Sequence, residues 1–357
     1  MKYLEKLVSI KSDENCDEIL TYLKNELVFR VKDIKILGKD EKILIAGLNT
    51  KLSNIEPVIL SGHIDTVRPK IQLYETNPYQ LTIINNKGYG LGSIDMKSFV
   101  AVILDRLDEI KSFDIPIVLA LTTDEETRLN SIKLMIDYFK EMDIKPKFTI
   151  VGEPTNNEIC LSSSACFEYS IMFYGKAAHS SKSKDGINAI CACAKMISFI
   201  EKNQKKYRLS SNCGVVNGGE VVNKVPDFAK LLFDIRSIYS QDVNSFINDI
   251  KGFINKLLVE YNGISIDFKN NLTIPAFNMK DNDKLLNISK KLNIKIGNFS
   301  GGCEAGYYSN YYGDCIIFGV GDLSLAHKPN EFVDINEYAS YSNKLLSVLN
   351  CIKGSYF

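Results

Sequence analysis

Three short apolar runs, each ending in a cluster of small and acidic residues, constrain this fold more than any other feature. Val58-Ile59-Leu60 runs into Ser61-Gly62-His63, and Ile115 to Leu121 runs into Thr122-Thr123-Asp124-Glu125-Glu126. Phe148 to Val151 runs into Gly152-Glu153-Pro154-Thr155. Between them the period changes to that of a helix. Met96, Phe99, Val100, Ile103, Leu104, Leu107 and Ile110 share one face, and a second helix is predicted from about Ser131 to Met142. Strands alternating with helices argue for a mostly parallel α/β sheet.

From about Phe167 the rhythm is different. Phe167, Tyr169, Ile171 and Phe173 alternate with other residues, as in a half-buried strand. A helix from about Gly186, strands near Gly214 to Asn217 and Phe228 to Arg236, a helical stripe from Val243 to Leu258 and a strand from Ile264 to Phe268 follow. That order is βαββαβ, the ferredoxin-like arrangement. After Pro275 the α/β pattern resumes, with helices near Asp281 to Leu292 and Ile335 to Ile352. The expectation is a discontinuous α/β domain, 1–165 with 273–357, carrying an inserted α+β domain over 166–272.

A chain of 357 residues suits two domains of ordinary size. Hydrophobic content of 45% and charged content of 24% are those of a globular protein with large cores. Lys plus Arg equals Asp plus Glu at 43 each, so neither nucleic acid nor an anionic membrane is favoured as a partner. The nine cysteines are odd in number, irregularly spaced and without a Cys-x-x-Cys pair, which fits free thiols in a reducing compartment. No apolar run approaches the roughly 18 residues that span a bilayer. A soluble, cytoplasmic protein is expected.

The three histidines sit in small-residue or turn contexts: Gly62-His63-Ile64-Asp65, Gly175-Lys176-Ala177-Ala178-His179-Ser180-Ser181 and Ala326-His327-Lys328-Pro329. Asp95, Glu125, Glu126 and Glu153 share the habit, at strand ends or just before a helix. Each has an ordinary reading: a surface histidine, a helix N-cap for Asp95, a solvated helix start for Glu125 and Glu126. Together they point elsewhere. The carboxyl ends of strands in open α/β sheets are where ligand sites form, and several carboxylates gathered there repel one another unless cations neutralise them. Two imidazoles and three carboxylates suit two borderline metal ions, one carboxylate being shared between ions about 3.5–4 Å apart. Adjacent Glu125 and Glu126 point in different directions, so one can ligate while the other acts as general base. Asp65, two residues beyond His63 on the same side, can accept the second imidazole N–H.

These motifs are similar to those of the dinuclear zinc M20 metallopeptidase and deacylase family. Gly62-His63-Ile64-Asp65-Thr66-Val67, Tyr89 to Lys97, Thr123-Asp124-Glu125-Glu126-Thr127, Gly152-Glu153-Pro154-Thr155, Gly175 to Ser180, Asp234-Ile235-Arg236 and Ala326-His327-Lys328-Pro329 carry the resemblance, in order over nearly the whole chain. It implies two divalent ions, zinc with cobalt as the alternative. His63, Asp95 and Glu153 would hold one ion and Asp95, Glu126 and His327 the other, with Glu125 as general base. It also implies a homodimer formed by the inserted domain, His179 reaching across to steady an oxyanion. Asn223, Arg236 and Gly302 match substrate-contacting positions. Glu304 stands where relatives diverge, and either meets a substrate amine or is a solvated loop residue. The implied reaction is amide hydrolysis of a small N-acyl amino acid. Desuccinylation, dipeptidase and carboxypeptidase actions are the alternatives. Ser98 departs from the glycine that commonly follows Asp-Met-Lys.

Overall fold

The runs at 58, 117 and 148 become parallel neighbours. Val58–His63 pairs with Ile117–Thr122, placing His63 level with Thr122. It pairs on its other side with Phe148–Val151, placing Ser61 level with Val151. Asp314–Ile317 adds a further parallel strand beyond Phe148–Val151. Four parallel strands therefore end along one sheet edge. Continuing the register by two residues brings Glu153 beside His63. The computed structural model describes residues 1–280 and 282–357.

Among the described residues the full sheet has nine strands. Asp33–Leu37 and Ile43–Gly47 extend it by antiparallel pairs on one side; on the other, Ile159–Ser163 pairs antiparallel with Asp314–Ile317 and with Phe277–Asn278, and parallel with Ile296–Phe299. Val58–His63 and Ile117–Thr122 are buried at every position, without the alternation of a one-faced sheet, because helices cover both faces. Lys2–Ser9, Asp17–Leu27, Lys97–Asp105 and Ile335–Tyr356 share one core with the sheet. Phe99, Val100, Ile103 and Leu104 are fully buried in it, each contributing roughly 1.5–3 kcal/mol. Asn130–Glu141 and Ala305–Tyr311 meet elsewhere in this unit, with Phe139 6.4 Å from Tyr308 between ring centroids.

The single helix expected from Met96 to Ile110 is two. Lys97–Asp105 stops at Arg106, and Leu107–Lys111 restarts after it. The Arg106 side chain binds Glu109, three residues on, at 3.0 Å and Asn343 at 3.0 Å, the latter a tertiary partner invisible to periodicity. The helix expected over Asp281 to Leu292 is observed as Asp283–Leu292, and Asp281 lies outside the described residues.

The chain divides into two compact units, Met1–Ser163 with Phe277–Phe357, and Ser164–Ala276. The second unit is ferredoxin-like. Its strands order as Ser210–Gly218, Phe228–Ser237, Ala165–Tyr174 and Ser265–Ile274, antiparallel throughout. Ala229, Leu231, Phe233 and Ile235 alternate inward against Ala189–Asn203 and Ser240–Glu260. Phe199 and Phe253 stack at 4.2 Å and join those two helices. Ser265–Ile274 runs further than Ile264 to Phe268, because a bulge between Asn270 and Leu272 carries the pairing through a polar stretch. Among the described residues no helix is long and apolar enough to cross a membrane.

Candidate metal centre

Asp95 stands between two imidazoles. Its Oδ1 lies 3.1 Å from His63 Nε2, and its Oδ2 lies 3.3 Å from His327 Nε2. Glu126 meets the same His327 nitrogen, with Oε2 at 2.9 Å and Oε1 at 3.0 Å from Nε2. Glu153 Oε1 lies 4.0 Å from His63 Nε2. Ligand-capable atoms of His63, Asp95 and Glu126 fall within 4.8 Å of one another, as do those of His63, Glu125 and Glu153. Both groupings differ from the implied sets: His63 stands with Asp95 and Glu126 where His327 was expected, and Glu125 stands with His63 and Glu153 where Asp95 was expected.

Local folding explains the convergence. His63 ends its strand and Glu153 lies two residues past its own. Asp124 folds the next loop back on itself: Oδ1 accepts the Ser131 N–H at 2.9 Å and Oδ2 the Asn130 N–H at 2.9 Å. The turn so closed presents Glu125 and Glu126. Gly152 permits a close approach, for a Cβ there would fall 2.1 Å from Phe99 Cγ. His327 has φ of 60°, a left-handed turn that aims its ring at Asp95 and Glu126.

The electrostatics call for cations. Among the described residues, the ion pairs made by Asp95, Glu126 and Glu153 go to the two imidazoles alone. Burial opposes a charge on His63, yet hydrogen bonds to Asp65 and Asp95 hold its proton affinity well above the usual value. Hydrogen bonds to Asp95 and Glu126 push His327 up to about 10. Burial followed by the charge of Glu153 drives Glu125 up, and burial followed by Asp95 drives Glu153 up. Glu153 Oε1 is buried without a hydrogen-bond partner. An orphaned carboxylate oxygen aimed among imidazoles and acids fits a divalent ion, and so does the nitrogen-and-oxygen donor set.

Asp65 makes contacts on two sides. The nearest acceptor to His63 Nδ1 is the Asp65 backbone oxygen at 3.0 Å, with the carboxylate Oδ1 at 3.4 Å. Oδ2 accepts the Glu126 N–H at 3.0 Å. Asp65 thus ties the His63 strand to the Glu126 turn and orients both side chains.

Glu304 is neither solvated nor open to a substrate amine. It is 1% exposed, its Oε2 accepts from Ser61 Oγ at 2.8 Å, and its Oε1 accepts from Thr122 Oγ1. The Tyr308 hydroxyl lies 2.9 Å from Ser61 Oγ. This carboxylate bridges the tips of the two strands that lead to His63 and Glu125. Glu304→Ala leaves two buried hydroxyls without their acceptor and should lower stability by about 1–3 kcal/mol, read as a fall in Tm.

His179, Asn223 and Arg236 belong to the second unit. His179 is exposed, and its Nδ1 faces the Ser181 backbone N–H at 3.2 Å and Oγ at 2.9 Å. The Ser180 N–H donates to the Asn223 carbonyl at 3.0 Å, so His179 and Asn223 share one loop pair. Arg236 donates through Nε to Asp234 at 2.8 Å. Gly302 is half-buried just before Ala305–Tyr311 in the first unit.

Two buried groups escaped the sequence reading. Lys97 is 1% exposed, donates to the Ile10 carbonyl at 2.9 Å, and is held down to about 8 by burial. Glu331 is 2% exposed and bonded to the turn that carries Asp95. No local pattern marks either as buried; the bond of Lys97 to Ile10 and those of Glu331 to the Asp95 turn reveal them.

Imidazoles and carboxylates gathered at the carboxyl edge of a parallel sheet make this a metal-dependent hydrolase. The chain belongs to peptidase family M20/M25/M40, whose family model matches residues 59–350. It is 30% identical over 365 residues to a protein of Buchnera aphidicola subsp. Schizaphis graminum named acetylornithine deacetylase, covering 94% of this chain and 93% of that one. Its fold is similar to a tripeptidase of Staphylococcus aureus, with a TM-score of 0.81, 22% identity and coverage of 98% and 97%. It is also similar to a Bacillus subtilis protein described as a dinuclear metal binding peptidase from the M20 family, with a TM-score of 0.70, 13% identity and coverage of 99% and 97%.

Proposed function

We propose that this protein hydrolyses the amide bond of an N-acyl amino acid, with N-acetylornithine as the leading substrate and ornithine and acetate as products. The observation that carries the reading is Asp95, whose two oxygens face two separate imidazoles, as a carboxylate shared by two ions must. His63, Asp95 and Glu153 would hold one ion, and Asp95, Glu126 and His327 the other. Zinc suits this donor set, and cobalt is its usual substitute. Two such ions acidify water and polarise an amide carbonyl.

The chain's own residues handle the proton and the substrate. Glu125 Oε takes a proton from the attacking water and returns it to the leaving amine nitrogen. Asp65 keeps His63 and Glu126 in register through the bonds described above. The Nδ1 of His179 faces the Ser181 N–H, a donor, so its proton resides on Nε2, free to steady a developing oxyanion. Arg236, Asn223 and Gly302 are assigned to substrate contact on the resemblance, the two-pronged guanidinium of Arg236 suiting a carboxylate. His179 acts from a partner subunit in a homodimer joined by the second unit. The edge strand Ser210–Gly218 supports that pairing, since Val215 and Val216 are 44% and 58% exposed on an open sheet edge. Nine cysteines, odd in number and without a Cys-x-x-Cys pair, fit a reducing cytoplasm.

The test is a panel of N-acetyl and N-succinyl amino acids, dipeptides and tripeptides given to the zinc-loaded protein. N-acetylornithine should give the highest kcat/KM. Faster turnover of a succinyl amino acid or a peptide rejects that substrate.

A further inference from the structure

Asp95 is reached by a segment with little regular structure of its own, Gly92 to Asp95, between the short strand Lys87–Tyr89 and the helix Lys97–Asp105. Lys87–Tyr89 pairs with Phe332–Asp334, the Gly90 N–H donates to the Glu331 carbonyl at 3.0 Å, and the Leu91 N–H donates to the Pro78 carbonyl at 2.8 Å. Beyond Leu91 the bonds that tie this segment to the chain near His327 come from the Glu331 side chain. Its Oε2 accepts the Gly92 N–H at 3.0 Å, and its Oε1 accepts the N–H groups of Ile94 at 2.8 Å and Asp95 at 3.2 Å. Gly92, with φ of 74°, allows the turn in which these N–H groups face one carboxylate.

A buried carboxylate is costly to desolvate, and among the described residues Glu331 makes no ion pair. Three charge-assisted N–H bonds stabilise it instead. The same residue lies four positions after His327 in the chain. One side chain thus joins the segment carrying Asp95 to the segment carrying His327.

We propose that Glu331 is a positioning residue that sets the span between Asp95 and His327, so that both can hold the same ion. This rests on the two-metal reading above. The amide of Glu331→Gln must turn an NH2 group toward at least one backbone N–H, which breaks the clamp. Glu331→Asp keeps the charge on an arm shortened by one methylene.

The experiment is a cobalt titration of the chelator-stripped full-length protein, followed by calorimetry and visible absorption. Wild type should take two ions. Glu331→Gln should weaken the ion held by Asp95, Glu126 and His327 by about 10–100-fold and alter its cobalt absorption band, with Glu331→Asp falling between. Wild-type affinities and spectra in both variants would overturn the proposal, even if their Tm falls. A wild type that takes no cobalt rejects the two-metal reading instead. Should neither variant fold, amide hydrogen exchange of the stripped wild type decides. Slow exchange at Gly92, Ile94 and Asp95 supports a clamp that exists before the metal, and fast exchange overturns it.

Discussion

Glu125→Gln is expected to keep both metal ions and to lose turnover by roughly 10²–10⁴-fold, the share usually carried by a positioned general base. The substitution changes little in shape and removes the carboxylate's charge together with its ability to take up a proton. Glu125 stands among Glu153, His63, Glu126 and Asp65, and burial with the charge of Glu153 raises its proton affinity. A group so placed accepts a proton readily as cleavage begins. The grouping of His63, Glu125 and Glu153 within 4.8 Å gives the experiment a second edge. If Glu125 is a ligand, its variant loses one ion, and metal analysis shows this directly. Full metal content with lost turnover fits the base. Near-normal hydrolysis of N-acyl amino acids rejects it.

His179→Ala should lower kcat by about 10²–10³-fold with metal content unchanged, as loss of one oxyanion donor does. The dimer reading makes a sharper prediction. When Glu125→Gln and His179→Ala proteins are unfolded together and refolded, random pairing makes half the dimers mixed. In a mixed dimer one site has Glu125 from its own chain and His179 from its partner. About a quarter of wild-type activity should return, one site in two across half the dimers. Two inactive proteins that stay inactive after mixing, although mixed dimers form, place His179 in its own chain's site or outside the reaction.

How much of this was legible in the sequence depends on the kind of residue. His63, Asp95, Glu126 and Glu153 sit where an apolar run stops or a helix starts, and His327 lies beside a proline. Such local breaks are visible in one dimension. The parallel sheet was legible for the same reason, since buried strands and amphipathic helices have different periods. Glu304 and Glu331 were not legible as buried groups. Glu304 reaches Ser61 and Thr122 across 243 and 182 residues, and Glu331 reaches the Asp95 turn across 236 to 239. Nothing in Gly302-Cys303-Glu304 or Pro329-Asn330-Glu331 marks a carboxylate that folding will bury. The break at Arg106 was hidden likewise, since its partners include Asn343. Tertiary hydrogen bonds, not propensity, decide these positions.

The central claim is that Asp95 is shared by two divalent ions. Elemental analysis of the purified protein, before and after dialysis against a strong chelator, measures this most directly. Two ions per chain are predicted, with activity lost on their removal and regained on adding zinc. Protein that holds no transition metal and keeps full activity in chelator would contradict it.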